Sequence, residues 1–343
     1  MAISLRVSIS GQKRQDRKIV IHKPDIGETE IFSLDDLEYS HKRDYFKSGI
    51  VVCKRKGMSF TNGLECEIKS QIPFQAGTSS SSAIVVSWIN FLAQLVDTPT
   101  KWSNMTIGEL AYLAESIEFQ EPGGIMDQYT ILNAKENKAI LLNCNDLTTK
   151  YIDIDFGDLE ILLLDTNIKH NLASTEYNTR VKECKQALET INRVNDKKHE
   201  NLSMVSLEEI NYAKNDLRID QFKRAVFVYN ENRRAIKSAE LIEKNNLSEF
   251  GKLMYQSHEG LKNNYEVSCK ELDFLVNQTK KIDGVIGARM MGGGFGGCTV
   301  NLIKSNEIPD VVSKIKENYK SNFGISLKAI IAKPGSGIKV LKS

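Results

Sequence analysis

Apolar and polar residues alternate in several short runs in the first third of the chain. A period of two residues predicts half-buried strands, because successive side chains of a strand point to opposite faces of its sheet. The pattern is clearest in the last of these runs. The strands predicted here are Ile3–Ser10, Lys18–Lys23, Thr29–Leu34 and Gly63–Ser70.

Apolar residues three to four positions apart then predict two helices, Ser79–Val96 and Thr106–Phe119. Both patterns occur in the remainder. The further strands predicted are Ala139–Cys144, Tyr151–Phe156, Leu159–Leu164, Gly287–Met291, Thr299–Lys304, Leu327–Ala332 and Gly337–Leu341, and the further helices are Glu176–Val194, Gln221–Asn245, Leu247–Asn264, Glu271–Ile282 and Pro309–Asn322. Strands, helices and strands again predict two α+β halves joined near residues 150–160.

Length and charge narrow the class of protein. The 343 residues suggest about two domains. The chain has 46 Lys and Arg residues against 44 Asp and Glu residues, a net charge of +2. A dedicated nucleic-acid binder needs a basic surplus, so that class is excluded.

The cysteines and apolar stretches indicate the compartment. Six cysteines are scattered without a CxxC pair, so we read them as reduced thiols and expect neither a zinc knuckle nor a disulfide framework. The start, Met1 to Lys18, has no apolar signal region. The most apolar stretch, Ala83–Val96, is interrupted by polar residues and shorter than the roughly 20 residues that a bilayer requires. We therefore expect a cytoplasmic protein without a membrane partner.

A serine-rich turn opens the first long helix. One glycine and four consecutive serines precede the apolar helix in Pro73–Ile84. The first N–H groups of a helix lack internal partners, so small residues there let backbone donors and hydroxyls approach a phosphate. Serine hydroxyls also suit Mg²⁺. The simpler interpretation is a helix cap with a loop, although one serine suffices for a cap.

A carboxylate follows a pair of glycines in the segment Glu115–Gln128. A helix ends before Pro122, and Asp127 comes directly after an apolar pair, at the predicted rim of a core. A carboxylate in that position can accept a proton from a hydroxyl nucleophile. Glu115, near the end of the preceding helix, is a candidate metal ligand. The structural alternatives are a capping Asp after a turn and a solvated helical Glu.

Five glycines cluster near the end of the chain, within Arg289–Thr299. Three of them match GxGxxG formally, but a predicted strand follows where a dinucleotide site requires a helix, so a Rossmann oxidoreductase is the weakest candidate. A hairpin with a tip free of side chains can approach another loop or a nucleotide closely. The glycines concerned are Gly292, Gly293, Gly294, Gly296 and Gly297.

Together these three segments resemble the GHMP small-molecule kinases, and within them the galactokinases. The stretches that carry the resemblance are Pro73–Ser81, Gly124–Gln128, Asn167–Tyr177, Ser257–Asp273 and Arg289–Thr299. The resemblance runs from about residue 60 to the end. It implies an α+β fold of two GHMP kinase domains, 1–155 and 156–343, with mixed or antiparallel sheets packed against helices and the active site in a cleft between the domains.

The resemblance also implies the activity and the site. The reaction would be phosphorylation of a sugar, most simply galactose, at its anomeric hydroxyl by ATP with Mg²⁺. By motif position, Asp127 would be the base or orienting carboxylate, and Ser80 and Glu115 the metal ligands. The phosphates would contact Gly77, Thr78, Ser79, Ser80, Ser81 and Ser82, the sugar would contact Gly124, Asp127 and Tyr177, and the five glycines would lie nearby. The expected partner is the small-molecule sugar, with the chain acting as a monomer.

One galactokinase signature is not found in this chain. It supplies a catalytic arginine and most sugar contacts in the family, and Met1–Ser4 resembles the stretch that follows it. We therefore expect the first strand and loop of the N-terminal domain to be missing. Neither Arg14 nor Arg17 lies in a comparable context. There are three explanations: a start assigned too late, a shortened inactive protein, or a different mode of sugar recognition. We favour the first.

Two other functions stay open from the sequence. One is a kinase for a related sugar such as N-acetylgalactosamine or L-arabinose, because the residues that choose the sugar belong largely to the missing signature. The other is a catalytically weak, galactokinase-like sensor that binds sugar and ATP. Asp127 and Ser80 speak against the sensor, which has less need of a base.

Overall fold

The computed structural model of the chain describes residues 1–73, 76–97, 102–121, 123–168 and 173–341. Its strands are β1 Ala2–Ile3, β2 Val7–Lys13, β3 Lys18–Lys23, β4 Glu28–Ser33, β5 Leu64–Ser70, β6 Lys138–Leu142, β7 Thr149–Asp153, β8 Leu159–Asp165, β9 Val285–Met290, β10 Cys298–Lys304, β11 Lys328–Ala332 and β12 Pro334–Gly335. Its helices are α1 Tyr45–Arg55, α2 Ser80–Leu95, α3 Asn104–Tyr112, α4 Met126–Asn133, α5 Ala173–Asn195, α6 Leu207–Tyr212, α7 Ile219–Glu243, α8 Leu247–Gly260, α9 Lys270–Thr279 and α10 Ile308–Phe323. Two π-helical turns, Leu113–Ile117 and Leu261–Tyr265, extend α3 and α8.

The chain divides into two compact units. The first contains Met1–Phe74, Ser79–Lys150 and Pro334–Ser343, and the second contains Gln75–Thr78 and Tyr151–Lys333. Each unit thus includes a segment that is distant in sequence from its main part. The boundary predicted between residues 155 and 156 stays a prediction.

The first unit is built on a mixed four-stranded sheet in the order β2-β5-β3-β4. β3 and β5 are parallel, whereas the two outer pairs are antiparallel. One sheet face carries the buried side chains of Ile19, Ile21 and Leu64, which belong to the same apolar core as residues of α1 and α2. The alternation of apolar and polar residues seen in the sequence therefore has its expected cause, a sheet with one buried face.

Helix α2 lies at the centre of the first unit. Its apolar residues are spread around the helix, as expected for a helix that contacts neighbours on several sides. Trp88 is fully buried and donates its indole N–H to the main-chain oxygen of Phe46 at 3.0 Å. These contacts fix the middle of α2 in the core of this unit.

The second unit contains an antiparallel sheet in the order β11-β8-β10-β9. Leu162 and Leu164 of β8 pack with Leu275 of α9 and with Ile315 and Tyr319 of α10. A separate apolar cluster joins α5, α6 and α7. The predicted α+β class, with mixed and antiparallel sheets packed against helices, is confirmed.

Several elements differ from the sequence-based expectation. Helix α1 is not among the predicted elements. Its Ile50, Val51 and Val52 favour strands by propensity, and burial against α2 overrides that preference. Helices α4 and α6 are short and were also not predicted. The strand expected at Gly337–Leu341 is wrong: the N–H groups of Gly337 and Ile338 bond to carbonyl oxygens at the end of α4 and beyond it, and the short strand β12 precedes them.

No helix in the described part of the chain has the length and apolar character needed to cross a membrane.

A half-buried, ion-paired carboxylate fixes the start of α9 in the second unit. Asp273 accepts hydrogen bonds from Ser268 at 2.6 Å and from His258 Nε2 at 3.2 Å, and it pairs with Lys262 at 3.0 Å. His258 Nδ1 accepts the N–H of Met290, which leaves its proton on Nε2. Burial would raise the pKa of Asp273, but these hydrogen bonds outweigh it and lower the pKa to about 2.

The lowered pKa predicts a pH-dependent stability. Because the folded pKa lies below the ordinary value of 3.8, Asp273 stabilises the fold above about pH 4 and loses this contribution as the pH falls towards 2. Relative to Asp273→Asn, the wild type should be more stable by about 2 kcal/mol at pH 6 and by about half of that at pH 3. Urea unfolding at both pH values measures the difference, and Asp283→Asn, at an exposed position, is the control. A pH-independent difference would contradict the assignment.

Candidate functional site

The turn before α2 has an unusual backbone. Ser79, the residue that precedes the helix, has φ 56° and ψ 35°, in the left-handed region, which costs a non-glycine residue about 1–2 kcal/mol. Among the described residues, its side chain makes no capping hydrogen bond to the helix. A simple cap therefore does not explain this serine. The first N–H groups of a helix have no acceptor within the helix, and a helix N-terminus favours an anion.

Glu115 lies in the π-helical turn that extends α3, and each of its carboxylate oxygens has a donor. Ser82 Oγ donates to Oε1 at 3.0 Å, and Gln128 Nε2 donates to Oε2 at 2.8 Å. The first donor comes from α2 and the second from α4. π-helical turns occur frequently at functional sites, and here one turns a carboxylate towards two other helices.

Gln128 was not among the residues singled out from the sequence. Only 2% of it is exposed, and its Oε1 has no partner in the described part of the chain. The reverse amide orientation would place that oxygen against the Glu115 carboxylate, so the assignment is fixed. A buried amide oxygen without a partner is costly, which marks a position available to a donor or cation. The available signal was its place in Gly124–Gln128.

Asp127 lies in the first turn of α4, where the helix dipole favours a negative charge. It is half-buried, and within the described ranges no hydrogen bond to its carboxylate is found. Because Gln128 faces Glu115, the preceding Asp127 lies on a neighbouring face of the same helix. The sequence predicted a turn here and not a helix. Because Asp127 belongs to a helix, its carboxylate is held more firmly than that of a turn residue would be.

The two glycines before α4 differ in their surroundings. A Cβ at Gly123 would lie 2.8 Å from Ser116 Oγ, whereas one at Gly124 would meet no atom within 4 Å. Of these two glycines, Gly123 is therefore the one whose backbone approaches another residue closely. Gly124, the predicted sugar contact, is exposed and unobstructed.

The glycine cluster forms the turn between β9 and β10, and it lies against the start of the serine-rich loop. Cys298 N donates to the Ala76 oxygen at 3.0 Å. A Cβ at Gly292 would be 2.6 Å from Gly77 Cα, and one at Gly297 would be 2.8 Å from the Ala76 oxygen. Both glycines also have positive φ. All these residues belong to the second unit, whose hairpin thus supports the backbone that leads into the loop.

Tyr177 lies on α5 of the same unit, beside the tip of this hairpin. A Cβ at Gly293 would lie 3.7 Å from Tyr177 Cδ2, an ordinary van der Waals distance. The structure thus brings a predicted sugar contact and the glycine hairpin together. Part of the Asn167–Tyr177 stretch, residues 169–172, lies outside the described residues, as do Phe74 and Gln75 of the serine-rich segment and Pro122.

The predicted site residues therefore form separate groups. In the first unit, Ser82, Glu115 and Gln128 are hydrogen-bonded, with Asp127 adjacent to Gln128. Ser80 and Ser81 lie next to Ser82 in the first turn of α2, but the hydrogen bond to Glu115 comes from Ser82. In the second unit, Gly77, the glycine hairpin and Tyr177 lie together.

Comparisons with known proteins identify the family of the chain. Residues 44–135 match the GHMP kinases N-terminal domain, and residues 238–321 match the GHMP kinases C-terminal family. A galactokinase of Clostridium beijerinckii is 37% identical over 323 residues, covering 91% of this chain and 81% of the relative. A galactokinase of Clostridium perfringens strain SM101 is 34% identical over 316 residues, covering 89% of this chain and 79% of the relative. The chain belongs to the galactokinase family of GHMP kinases.

Solved structures show the same fold. Lactococcus lactis galactokinase complexed with galactose has a TM-score of 0.89 at 29% identity, covering 98% of this chain and 87% of that one. Methanococcus jannaschii mevalonate kinase has a TM-score of 0.69 at 18% identity, covering 98% of this chain and 90% of that one. At this identity the similarity shows the fold alone. The prediction of a two-domain, galactokinase-like GHMP sugar kinase is confirmed.

The close approach at Gly297 predicts that replacing it by alanine destabilises the protein more than the same replacement at Gly324. Gly297 has φ 80° and Gly324, which ends α10, has φ 68°, so alanine is strained at both positions. A Cβ clashes only at Gly297, because the position at Gly324 is open. Gly324→Ala should cost about 1 kcal/mol of unfolding free energy, and Gly297→Ala about 1–3 kcal/mol more. Equal costs in urea unfolding would contradict the described contact with Ala76.

Proposed function

We propose that this sugar kinase is a galactokinase, which transfers the terminal phosphoryl group of ATP to the anomeric hydroxyl of galactose. The observation that carries the proposal is the hydrogen-bonded group of Ser82, Glu115 and Gln128 beside Asp127, in a chain 34–37% identical to galactokinases. The choice of sugar is supported by the Lactococcus lactis galactokinase, whose structure was solved in complex with galactose.

Asp127 is the residue proposed to act on the sugar hydroxyl. As the hydroxyl oxygen bonds to the terminal phosphorus, its proton passes to the Asp127 carboxylate and the bond to the ADP oxygen breaks. Phosphoryl transfer depends mainly on positioning and charge stabilisation, so a carboxylate that orients the hydroxyl serves the same step. A rigid helical position and a carboxylate without a competing hydrogen bond among the described residues both suit this role.

The phosphates of ATP are assigned to the loop from Gly77 to Ser82. GHMP kinases use ATP. The first N–H groups of α2 point out of the helix, and the helix dipole favours the negative charge there. The left-handed conformation of Ser79 supports the proposal, since a backbone strained by about 1–2 kcal/mol requires compensation, which a bound anion supplies.

The donor set also fits Mg²⁺. Ser80 and Glu115 are the proposed ligands, and carboxylate and hydroxyl oxygens are the hard donors that this cation prefers. A bound Mg²⁺ neutralises phosphate charge during transfer. Ser82 and Gln128 hold the Glu115 carboxylate in one orientation, which is the usual task of groups behind a metal ligand. The unpartnered Gln128 oxygen adds a further acceptor beside this carboxylate.

Replacing Asp127 separates catalysis from nucleotide binding. Asp127→Asn should lower kcat about 10²–10⁴-fold, because the amide cannot accept the proton, while ATP binding stays measurable by calorimetry. Asp283→Asn removes an exposed carboxylate and should leave both quantities unchanged. Turnover of Asp127→Asn at the wild-type rate would refute the proposed role of Asp127.

The same coupled ADP assay identifies the sugar. We expect the largest kcat/KM with galactose in a panel that also contains N-acetylgalactosamine, L-arabinose and glucose. A larger value for another sugar changes the substrate but not the class of enzyme. Binding of sugar and ATP without any product at long incubation would identify a sensor and refute the proposed activity.

The metal site makes a further prediction. Glu115→Gln should raise the Mg²⁺ concentration needed for half-maximal activity by more than about tenfold, and Gln128→Leu, which removes one donor to Glu115, by about tenfold. Glu109→Gln, on the exposed side of α3, is the matched control and should leave the Mg²⁺ requirement unchanged. An unchanged Mg²⁺ dependence in Glu115→Gln would exclude Glu115 as a ligand.

A further inference from the structure

Helix α7 of the second unit carries a buried arginine that the proposed mechanism does not use. Arg224 is only 1% exposed. A buried guanidinium is strongly unfavourable unless charged partners compensate it. Its Nε donates to Glu183 at 2.7 Å, its Nη2 donates to Glu266 at 2.8 Å, and its Nη1 donates to the Asn264 oxygen. Arg224 therefore bridges two carboxylates from different parts of this unit.

Each carboxylate also has a second cation. Arg180 pairs with Glu183 at 3.2 Å, and Lys223 pairs with Glu266 at 2.7 Å. The hydrogen bonds from Lys223 and Arg224 lower the pKa of Glu266. Among the described residues, Arg224 bonds to both carboxylates, whereas Arg180 joins the Glu183 carboxylate to the main-chain oxygen of Glu266. The bridge between the two side chains therefore depends on the forked guanidinium of Arg224.

Glu266 needs this support because its backbone is strained. It follows the π-helical turn Leu261–Tyr265 and has φ 57°, which costs a non-glycine residue about 1–2 kcal/mol. Its main-chain oxygen accepts a hydrogen bond from Arg180 Nη2 at 3.1 Å. Both the side chain and the backbone of Glu266 are thus held by arginines.

The next residue, Val267, contacts the tip of the glycine hairpin. Its carbonyl oxygen accepts the N–H of Phe295 at 2.7 Å. A Cβ at Gly294 would lie 2.1 Å from the same oxygen, so the tip rests directly on it. The position of Val267, and therefore of the hairpin tip, follows from the conformation of Glu266.

The other carboxylate bound by Arg224, that of Glu183, fixes α5. Tyr177, Arg180 and Glu183 are spaced three residues apart, so they lie along neighbouring positions of the helix surface. The ring of Tyr177 lies against Gly293 at the hairpin tip. Arg224 consequently holds both sides of this contact, α5 through Glu183 and the tip through Glu266.

We propose that Arg224 is a positioning residue for sugar binding: by bridging Glu183 and Glu266, it sets Tyr177 against the tip of the glycine hairpin. This inference rests on the proposed function, in which Tyr177 contacts the sugar. The base of the hairpin has its own support, because Thr166 donates from its N and Oγ1 to the Gly297 oxygen at 3.0 and 2.8 Å. Loss of Arg224 should therefore affect the sugar more than the nucleotide.

Steady-state kinetics of the full chain test this proposal. Arg224→Met should raise KM for the best sugar of the panel about tenfold or more, with kcat changed less than about threefold and KM for ATP within about twofold. Arg224→Lys keeps the charge but not the fork, so it should restore only part of the loss. Lys223→Met is the matched control: it removes the other cation from Glu266 without breaking the bridge, and KM for the sugar should stay unchanged.

Further variants keep the test decisive. Where Arg224→Met does not fold, Glu183→Gln weakens the same bridge and should raise KM for the sugar in the same direction. An unchanged KM in folded Arg224→Met, or an equal loss for sugar and ATP, would overturn the proposal.

A double variant separates this inference from the proposed function. If Arg224 acts through Tyr177, Arg224→Met combined with Tyr177→Ala should bind the sugar no more weakly than Tyr177→Ala alone. Additive effects would overturn the inference. No effect of Tyr177→Ala on its own would instead refute the sugar contact in the proposed function.

Discussion

The first unit of this kinase depends on one carboxylate with a donor on each oxygen. Glu115 receives a hydrogen bond from Ser82 in α2 and another from Gln128 in α4, while it belongs to the extension of α3. These two bonds relate the serine-rich turn to the helix that carries Asp127. A change in any of the three helices would therefore move the proposed phosphate, metal and base groups relative to one another.

In the second unit, the corresponding constraint is the close approach of backbones without side chains between them. The glycine hairpin contacts the loop start at Ala76 and Gly77 on one side and the Val267 carbonyl on another. Strained non-glycine residues lie next to these contacts, among them Phe295 with φ 57° and Glu266 with the same value. Such conformations persist only where neighbouring contacts fix them, and the ion pairs of Arg224 are among those contacts.

Much of the fold follows from local patterns in the sequence. β3 has the predicted bounds, and α2 lies within one residue of its predicted start and end. The predictions failed where tertiary contacts decided the structure. The β-branched run in α1 became helical by burial, and the backbone of Gly337–Leu341 bonds to the end of α4 and beyond it instead of forming a strand.

The residues of the candidate site could be predicted from sequence motifs, but the contacts between them could not. Asp127, Glu115 and the serines were singled out by residue type and spacing, because phosphoryl transfer needs a carboxylate, hard oxygen ligands and a helix N-terminus. The partners of Glu115 were not predicted, since Ser82 lies 33 residues before it and Gln128 13 residues after it. The bridge made by Arg224 joins residues 41 and 42 positions away, a separation that no local pattern reports.

The way in which the chain is shared between its two units limits how the protein can be dissected. Gln75–Thr78 belongs to the second unit although it precedes α2, and Pro334–Ser343 belongs to the first although it follows β11. A fragment cut at Lys150 would leave the Cys298 N–H without the Ala76 oxygen and β1 without its partner strand β12. Neither half is an autonomous module, so expression of separate halves and simple domain exchange with other kinases should not yield folded proteins unless these short segments are carried along.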